Sequence, residues 1–479
     1  MAKSLHAVMA PFPVQGSINP LIQLAHLLSQ RGFFITFVNT EWSHRRMLDS
    51  GGHAHQQAAQ GFRFLTIPDG LPAEHDRLTD LVGYMNALEN LAPVLEHHLL
   101  VSLSEQVSVP PITCIIGDSF MSCTYQVALN LRVPRVLVWT MCAAVGISQF
   151  KAEWLLAKGH IPVKLEEAKR PENLITCLPG NLPPLLPTDL LSVYRAKSAC
   201  DVLLQKHLHQ SRVQNRGDYV MVNTVEELEG REAVAALSIN GCPSVAVGPL
   251  FLPNFLENKN VVRSTSMFAE DESCLAWLDT QQPASVMYVS FGSIAVKSNE
   301  QLEEIALGLE SSQQPFLWVL RNDIAEGKPA VLPHGFLERI GDRGLIVRWV
   351  PQVKVLSHPA IRAFLTHSGW NSVMESFSLG IPMLGWPYFM DQFLNCRFVK
   401  DVWKIGMDFE GVDVDEQRFV RREEVEKGVR RIMECEETRQ RVLKVKEAAV
   451  KAVSTSGSSF LGLNKFVHDI SQIAKSFQR

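Results

Sequence analysis

Residues 349–392 gather side chains suited to holding a planar ring, an anion and a set of hydroxyls: Trp349, Gln352, His367, Trp370, Asn371, Ser372, Glu375, Asp391 and Gln392. Trp349 offers a flat face on which a planar ring can stack. Gln352 follows it in the turn Trp349-Val350-Pro351-Gln352 and can hydrogen-bond the same ligand. His367 closes an apolar run, and Gly369 lets the chain turn tightly. Trp370-Asn371-Ser372 opens the next helix. A helix N-terminus presents free N–H groups and positive dipole, so a diphosphate belongs there, with His367, Asn371 and Ser372 adding side-chain donors. Glu375 lies four residues after Asn371, one turn along the same face, where its carboxylate can accept from paired hydroxyls. Asp391-Gln392 follows Trp386-Pro387 beyond another strand. Singly, each has a plainer reading. Tryptophans are often buried, Glu375 could be a solvated helix residue, and Asp391-Gln392 could start a helix. The joint spacing outweighs those readings.

The elements that must position these groups are legible as alternating patterns. Residues 5–10 read as a strand and 11–16 as a loop. Ile18, Leu21, Ile22, Ala25 and Leu28 then recur at helical spacing. Gly32 ends that helix, and 33–38 is the next strand. Further strands are expected at 62–67, 112–117, 135–139, 219–223 and 244–247. Residues 250–268 break the pattern with Pro, Asn and Ser and read as a linker. A second alternation follows, with strands at 285–290, 316–320, 345–348, 362–365 and 382–385. Helices are expected at 301–309, 371–379, 392–402, 422–453 and 460–477. Strands separated by helices imply βαβ units and parallel sheets, with ligands at the strand C-termini. The length of 479 residues exceeds what one core usually serves, so two domains are expected.

The stretch 349–392, WVPQVKVLSHPAIRAFLTHSGWNSVMESFSLGIPMLGWPYFMDQ, resembles the 44-residue sugar-nucleotide box of plant family 1 UDP-dependent glycosyltransferases. The match runs in order through W-x-P-Q, H-P, F-L-T-H, G-W-N-S, E, G-I-P-M, W-P and D-Q. The resemblance implies the GT-B fold: two Rossmann-like, doubly wound α/β domains facing across a cleft. It implies an acceptor domain over 1–249, a linker over 250–268, a UDP-sugar domain over 269–457 and a terminal helix, 458–479, crossing back. Trp349 would then meet the uracil, Gln352 the nucleoside and Glu375 the ribose hydroxyls, with Val350 also in the donor site. His367, Gly369, Trp370, Asn371 and Ser372 would surround the diphosphate. Asp391 and Gln392 would grip the sugar, with Gln392 pointing to glucose. Ser293, in Val289-Ser290-Phe291-Gly292-Ser293, matches a hydroxyl donor to the phosphates; alone it reads as an ordinary turn. Thr140 matches a position that touches the donor sugar. UDP-glucose would be a co-substrate, with no cofactor and no metal, and the displacement would be direct and inverting. Asp413-Val414-Asp415 reads as a solvated loop rather than a metal motif.

The family carries a catalytic His in G-H-x-x-P after the first strand. Here the phrase is Gly16-Ser17-Ile18-Asn19-Pro20, so Ser17 stands in its place. Asp118, in Cys114-Ile115-Ile116-Gly117-Asp118, matches the Asp that partners that His. Without the resemblance, Asp118 could cap the following helix and Ser17 could cap its own. A positioned base contributes roughly 10²–10⁴-fold, and an unassisted Ser is a poor one. Asp118 could act directly or through water with Ser17 orienting it, or the acceptor could be acidic enough to need little help. A UDP-sugar-binding protein with impaired catalysis is the alternative. Acceptor walls are expected from 70–85, Phe120, 141–150 (Met141 first), 182–194 and Phe389. The phrases at 37–41 and 67–72 resemble the subgroup acting on cyanohydrins, terpenoid alcohols and phenolics.

Composition narrows the rest. The net charge of −4, with no basic run, argues against nucleic acid. Nine scattered cysteines without a CxxC pair read as reduced thiols. No apolar run reaches the ~20 residues of a membrane helix. A cytoplasmic monomer is expected. The first strand is not followed by G-x-G-x-x-G, which argues against a dinucleotide oxidoreductase.

Overall fold

A computed structural model of the chain describes residues 5–51, 61–77, 80–105, 109–166, 171–239, 241–257, 266–325, 329–409 and 419–477. Two parallel sheets form, as the alternating pattern predicts. The first comprises β1 (Leu5–Ala10), β2 (Phe33–Thr40), β3 (Phe62–Ile67), β4 (Cys114–Asp118), β5 (Arg135–Trp139), β6 (Tyr219–Val222) and β7 (Ser244–Ala246). Their spatial order is β3-β2-β1-β4-β5-β6-β7. The second comprises β8 (Val286–Ser290), β9 (Phe316–Val319), β10 (Gly344–Val347), β11 (Ile361–Thr366), β12 (Met383–Gly385) and β13 (Gly406–Asp408), in the order β10-β9-β8-β11-β12-β13.

Both faces of each sheet are covered, which is why the strands read as apolar runs rather than alternations. On β1, Ala7 and Met9 face one core with Leu21, Leu24 and Leu28. Val8 and Ala10 face the opposite core with Leu95, Leu99 and Val127. The helices that concern the site are α1 (Gln15–Ser29), α2 (Val202–Gln214), α3 (Trp370–Leu379), α4 (Gln392–Arg397) and α5 (Ser458–Phe477). Ile18, Leu21, Ile22, Ala25 and Leu28 of α1 are all buried. α5 lies against the first sheet, where Phe466 stacks on Phe33 and meets Tyr219 edge-on. Burying that one ring contributes roughly 1.5–3 kcal/mol. Tyr219 Oη donates to Asp469 Oδ2 at 3.1 Å, and Arg31 Nε to Asn464 Oδ1 at 2.9 Å.

Three expectations need correction. α1 begins at Gln15, so 11–16 is not wholly loop. The helix expected over 422–453 is two, Arg422–Glu434 and Glu436–Val453, because Cys435 takes an extended backbone (ψ 98°). The two halves pack on different partners, the first on helix Asn299–Ser312 and the second on α3. The helix expected over 392–402 is regular only through Arg397 and continues as a π-type turn. Strand β13 had no sequence signal, since Gly-Met-Asp has a single apolar side chain and none that is β-branched. The Asp413-Val414-Asp415 reading and residues 258–265 of the linker lie outside the described residues, while the linker's first part forms a short helix, Leu252–Leu256.

Candidate functional site

Each sheet has one place where the chain reverses its winding direction. In the first sheet β1 sits between β2 and β4; in the second, β8 sits between β9 and β11. The crevice beyond the strand ends at such a reversal is where doubly wound sheets bind ligands. Here the two crevices open into one cavity of about 920 Å³. From the first sheet come Ser17, after β1, and Thr140, after β5. From the second come Ser293, after β8, and His367, after β11. Every expected site residue lines this cavity except Asp118: Ser17, Phe120, Thr140, Met141, Ser293, Trp349, Val350, Gln352, His367, Gly369, Trp370, Asn371, Ser372, Glu375, Phe389, Asp391 and Gln392.

Asp118 is fully buried at the end of β4, directly behind that lining. Its carboxylate accepts from the Phe120 backbone N–H at 2.9 Å and from Thr140 Oγ1 at 3.1 Å. The nearby Ser17 side chain also favours the charged carboxylate. Burial pushes the Asp118 carboxyl up to about 6, against the pull of these donors. Neither helix-capping reading holds. α1 is capped at Val14, leaving Ser17 inside its first turn, and the helix after Asp118 is capped at Ser122. Ser17 thus lies beside the carboxylate that the resemblance assigned to the base's partner.

The opposite wall is built around His367. α3 starts at Gly369 with no side-chain cap, leaving its first N–H groups for a ligand. Gly369 has an ordinary φ of −63°, so the tight turn expected of it is made instead by Ser368, at φ 63°. The glycine is required for a different reason: a Cβ there would overlap His367 Nε2. Gly292, at φ 72°, is constrained likewise, with its would-be Cβ 2.6 Å from His367 Cε1. Enclosure, with the positive charges of Arg321 and Lys297, lowers His367 to about 4, so the ring is neutral. Its Nδ1 is buried without a partner among the described residues. Arg321 donates to the carbonyls of Gly292 and Ala295, bracing the loop that carries Ser293.

Other expected donors are engaged differently. Asn371 Nδ2 donates to the Gly16 carbonyl at 2.7 Å, and Trp370 Nε1 to the Asn223 carbonyl at 2.8 Å. Both bonds span the two sheets' halves, so these side chains clamp the cleft rather than point at a diphosphate. A third clamp joins Met390 N–H to Ser192 Oγ at 2.9 Å. Gln392 Oε1 accepts from Tyr388 and Phe389 N–H at 2.8 and 2.9 Å, leaving only its NH₂ for a ligand. Asp391 accepts from Asn395 at 2.7 Å, and burial raises its carboxyl to about 6. Gln352 Nε2 donates to Glu375 Oε2 at 2.7 Å and to Ser372 Oγ at 3.0 Å. Burial raises Glu375 to about 7 against that pull. One face of Trp349 stacks on Phe268, with centroids 4.5 Å apart, which leaves one face for a ring.

The acceptor walls also differ from expectation. Leu81, Met85, Phe120, Met141 and Phe389 line the cavity, but residues 142–150 and 182–194 do not. Most of 142–149 is packed in a hydrophobic core with 190–194. Leu203 and His207 of α2 take that place. No motif marked them, because nothing local ties α2 to the loops it joins.

Comparisons with known proteins bear on this geometry. A family model described as UDP-glucoronosyl and UDP-glucosyl transferase matches residues 191–445. (R)-Mandelonitrile beta-glucosyltransferase of Prunus dulcis is 39% identical over 482 residues, 97% of each chain. Linamarin synthase 1 of Manihot esculenta is 36% identical, covering 98% of this chain and 97% of its own. Among solved structures, Medicago truncatula UGT71G1 complexed with UDP-glucose matches with a TM-score of 0.79 at 26% identity, covering 98% of both chains.

Proposed function

Because the chain belongs to the UDP-glucoronosyl and UDP-glucosyl transferase family, we propose that it transfers glucose from UDP-glucose to a hydroxyl of a small lipophilic acceptor. The observation that carries this is the single cavity in which residues 349–392 face the Ser17–Asp118 pair. On this reading residues 1–249 hold the acceptor, 269–457 hold the UDP-sugar, and 458–479 tie the halves together. Trp349 and Val350 take the uracil, Gln352 and Glu375 the nucleoside and ribose. Ser293, Ser372, His367 and the α3 N-terminus take the diphosphate, and Thr140, Asp391 and Gln392 the glucose. Phe120, Met141 and Phe389 wall the acceptor.

Asp118 does not reach the cavity, so its route to the acceptor runs through Ser17. The acceptor oxygen forms a bond to the anomeric carbon from the face opposite UDP. Its proton passes to Ser17 Oγ as the Ser17 proton passes to Asp118. The bond from carbon to the UDP oxygen breaks, and its electron pair stays on the phosphate. The product is an inverted glucoside. Helix dipole and buried donors stabilise the charge growing on the phosphate. The relatives named for mandelonitrile and linamarin support cyanohydrins as acceptors, beside phenols and terpenoid alcohols. A nitrile acidifies the neighbouring hydroxyl, which lowers the demand on a weak relay. The nine unpaired thiols support a cytoplasmic enzyme. The family carries its base at the position of Ser17, and its loss supports a second reading, a UDP-sugar-binding protein without turnover.

The test is UDP release from UDP-glucose with cyanohydrins, phenols and aliphatic alcohols, for the protein and for Ser17→His. Turnover of cyanohydrins and phenols by both, with alcohols gained in the variant, supports the relay. UDP-glucose binding without turnover on any acceptor selects the second reading.

A further inference from the structure

α2 is started by Asp201, whose carboxylate accepts from the N–H groups of Leu203 and Leu204. Its buried side carries an unusual polar set: His207, Gln210, Ser211 and Gln214. Spacings of three, four and seven place these on one face. Three of them are anchored. Gln210 Nε2 donates to Glu89 at 3.3 Å, Ser211 Oγ to the Gln149 carbonyl at 2.7 Å, and Gln214 Nε2 to the Ser119 carbonyl at 3.1 Å.

His207 is not anchored. Its side chain is 98% buried (2% exposed), yet neither ring nitrogen has a hydrogen-bond partner among the described residues. The Leu203 carbonyl, one turn back, favours the charged ring slightly but without hydrogen-bond geometry. A buried polar group without a partner costs about 1–3 kcal/mol. A leucine here would avoid that cost. The ring lines the cavity with Leu203, Phe120 and Met141, its two nitrogens enclosed just beneath the lining, at 6.0 Å and 60° from the Phe120 ring. Phe120 in turn donates its N–H to Asp118. His207 thus packs on the side chain of the residue whose backbone N–H holds the Asp118 carboxylate. Burial pushes the imidazole down to about 4. Near neutral pH it offers one N–H donor and one lone pair, and no charge.

We propose that His207 determines acceptor specificity, hydrogen-bonding an uncharged hydroxyl or carbonyl on the acceptor at a distance from the hydroxyl that is glucosylated. This rests on the transfer reading above and names the acceptor class more closely. The favoured acceptor is lipophilic along its length, where it passes Phe120 and Met141, and carries a second neutral polar group at its far end. A carboxylate is a poor fit, because a ring that resists protonation gives it no counter-charge.

The test uses a matched pair, 4-(3-hydroxypropyl)phenol and 4-butylphenol, with the protein, His207→Leu and His207→Gln. Acceptor dissociation constants in the presence of UDP are measured by calorimetry, and KM and kcat by UDP release. The hydroxylated phenol should bind about tenfold tighter than its apolar match, the worth of one good hydrogen bond to a buried group. His207→Leu should erase that preference while leaving kcat, UDP affinity and the 4-butylphenol constants within twofold. His207→Gln, which keeps a donor and an acceptor, should retain most of it. Equal binding of the two phenols, an equal loss for both in His207→Leu, or a changed pH profile of kcat would overturn the proposal. Selective binding without transfer would keep this inference and sink the transferase reading; transfer without selectivity would do the reverse.

Discussion

On the proposed relay Ser17 and Asp118 act as one unit, the hydroxyl lining the cavity and the buried carboxylate lying behind it. A carboxylate must be ionised to take a proton. Asp118 titrates at about 6, so kcat should rise with pH through that value and level off above it. Asp118→Asn should lower kcat by roughly 10²–10⁴-fold and abolish this limb, read from a pH–rate profile with a cyanohydrin acceptor. The same variant should be more stable. The native carboxyl is raised above its unfolded value of 3.8, so its charge costs stability fully above about pH 6 and not below about 4. Asp118→Asn should therefore gain roughly 1–3 kcal/mol at pH 7.5, and the gain should vanish at pH 3.5. Thermal unfolding at the two pH values checks it. Glu375→Ala leaves Gln352 without its carboxylate partner and removes the acceptor proposed for the ribose. UDP affinity should fall by about tenfold or more, measured by calorimetry.

Among the elements, α3 was the most legible. Its uncapped start and the faces of Ser372 and Glu375 follow from local spacing. The glycines around it were misread, because a sequence shows that a glycine is present but not what it approaches. Gly369 makes room for His367 rather than a turn. α5 offers a cleaner test of close approach. A Cβ on Gly462 would overlap the Ala246 carbonyl oxygen, which is backbone and cannot swing aside. Gly462→Val should destabilise the protein by roughly 1–3 kcal/mol, seen as a lower Tm, while UDP affinity in the folded protein stays unchanged. The break at Cys435 was not legible, since both halves have helix-favouring residues and only their separate packing partners divide them.

For the whole molecule, hydrogen bonds across the cleft include Asn371 to Gly16, Trp370 to Asn223 and Met390 to Ser192. Each joins a residue of the second half's site to a carbonyl or hydroxyl of the first. Trp370→Phe keeps most of the ring packing against Phe377 and Trp403 but removes the N–H. The orphaned Asn223 carbonyl should cost about 1 kcal/mol of the closed arrangement. A matching fall of about fivefold in kcat/KM, with smaller change in UDP affinity, would show that the clamp serves transfer more than donor binding.

The residues 349–392 determined much by themselves, because groups within one strand-turn-helix unit are placed by local geometry alone. The apolar runs and helical periods likewise determined two parallel sheets and where ligands would collect. Pairings between distant segments were decided only by tertiary structure. Ser17 and Asp118 come close together because β1 and β4 are neighbours in a sheet order that the spacing does not state. Asn371 read as a ligand donor and Trp370 as part of the diphosphate site, and only the other half of the molecule supplied Gly16 and Asn223 as their partners. His207 gave no signal at all, since a helix residue without a motif becomes a site residue only when the fold sets it against Phe120 in the cavity.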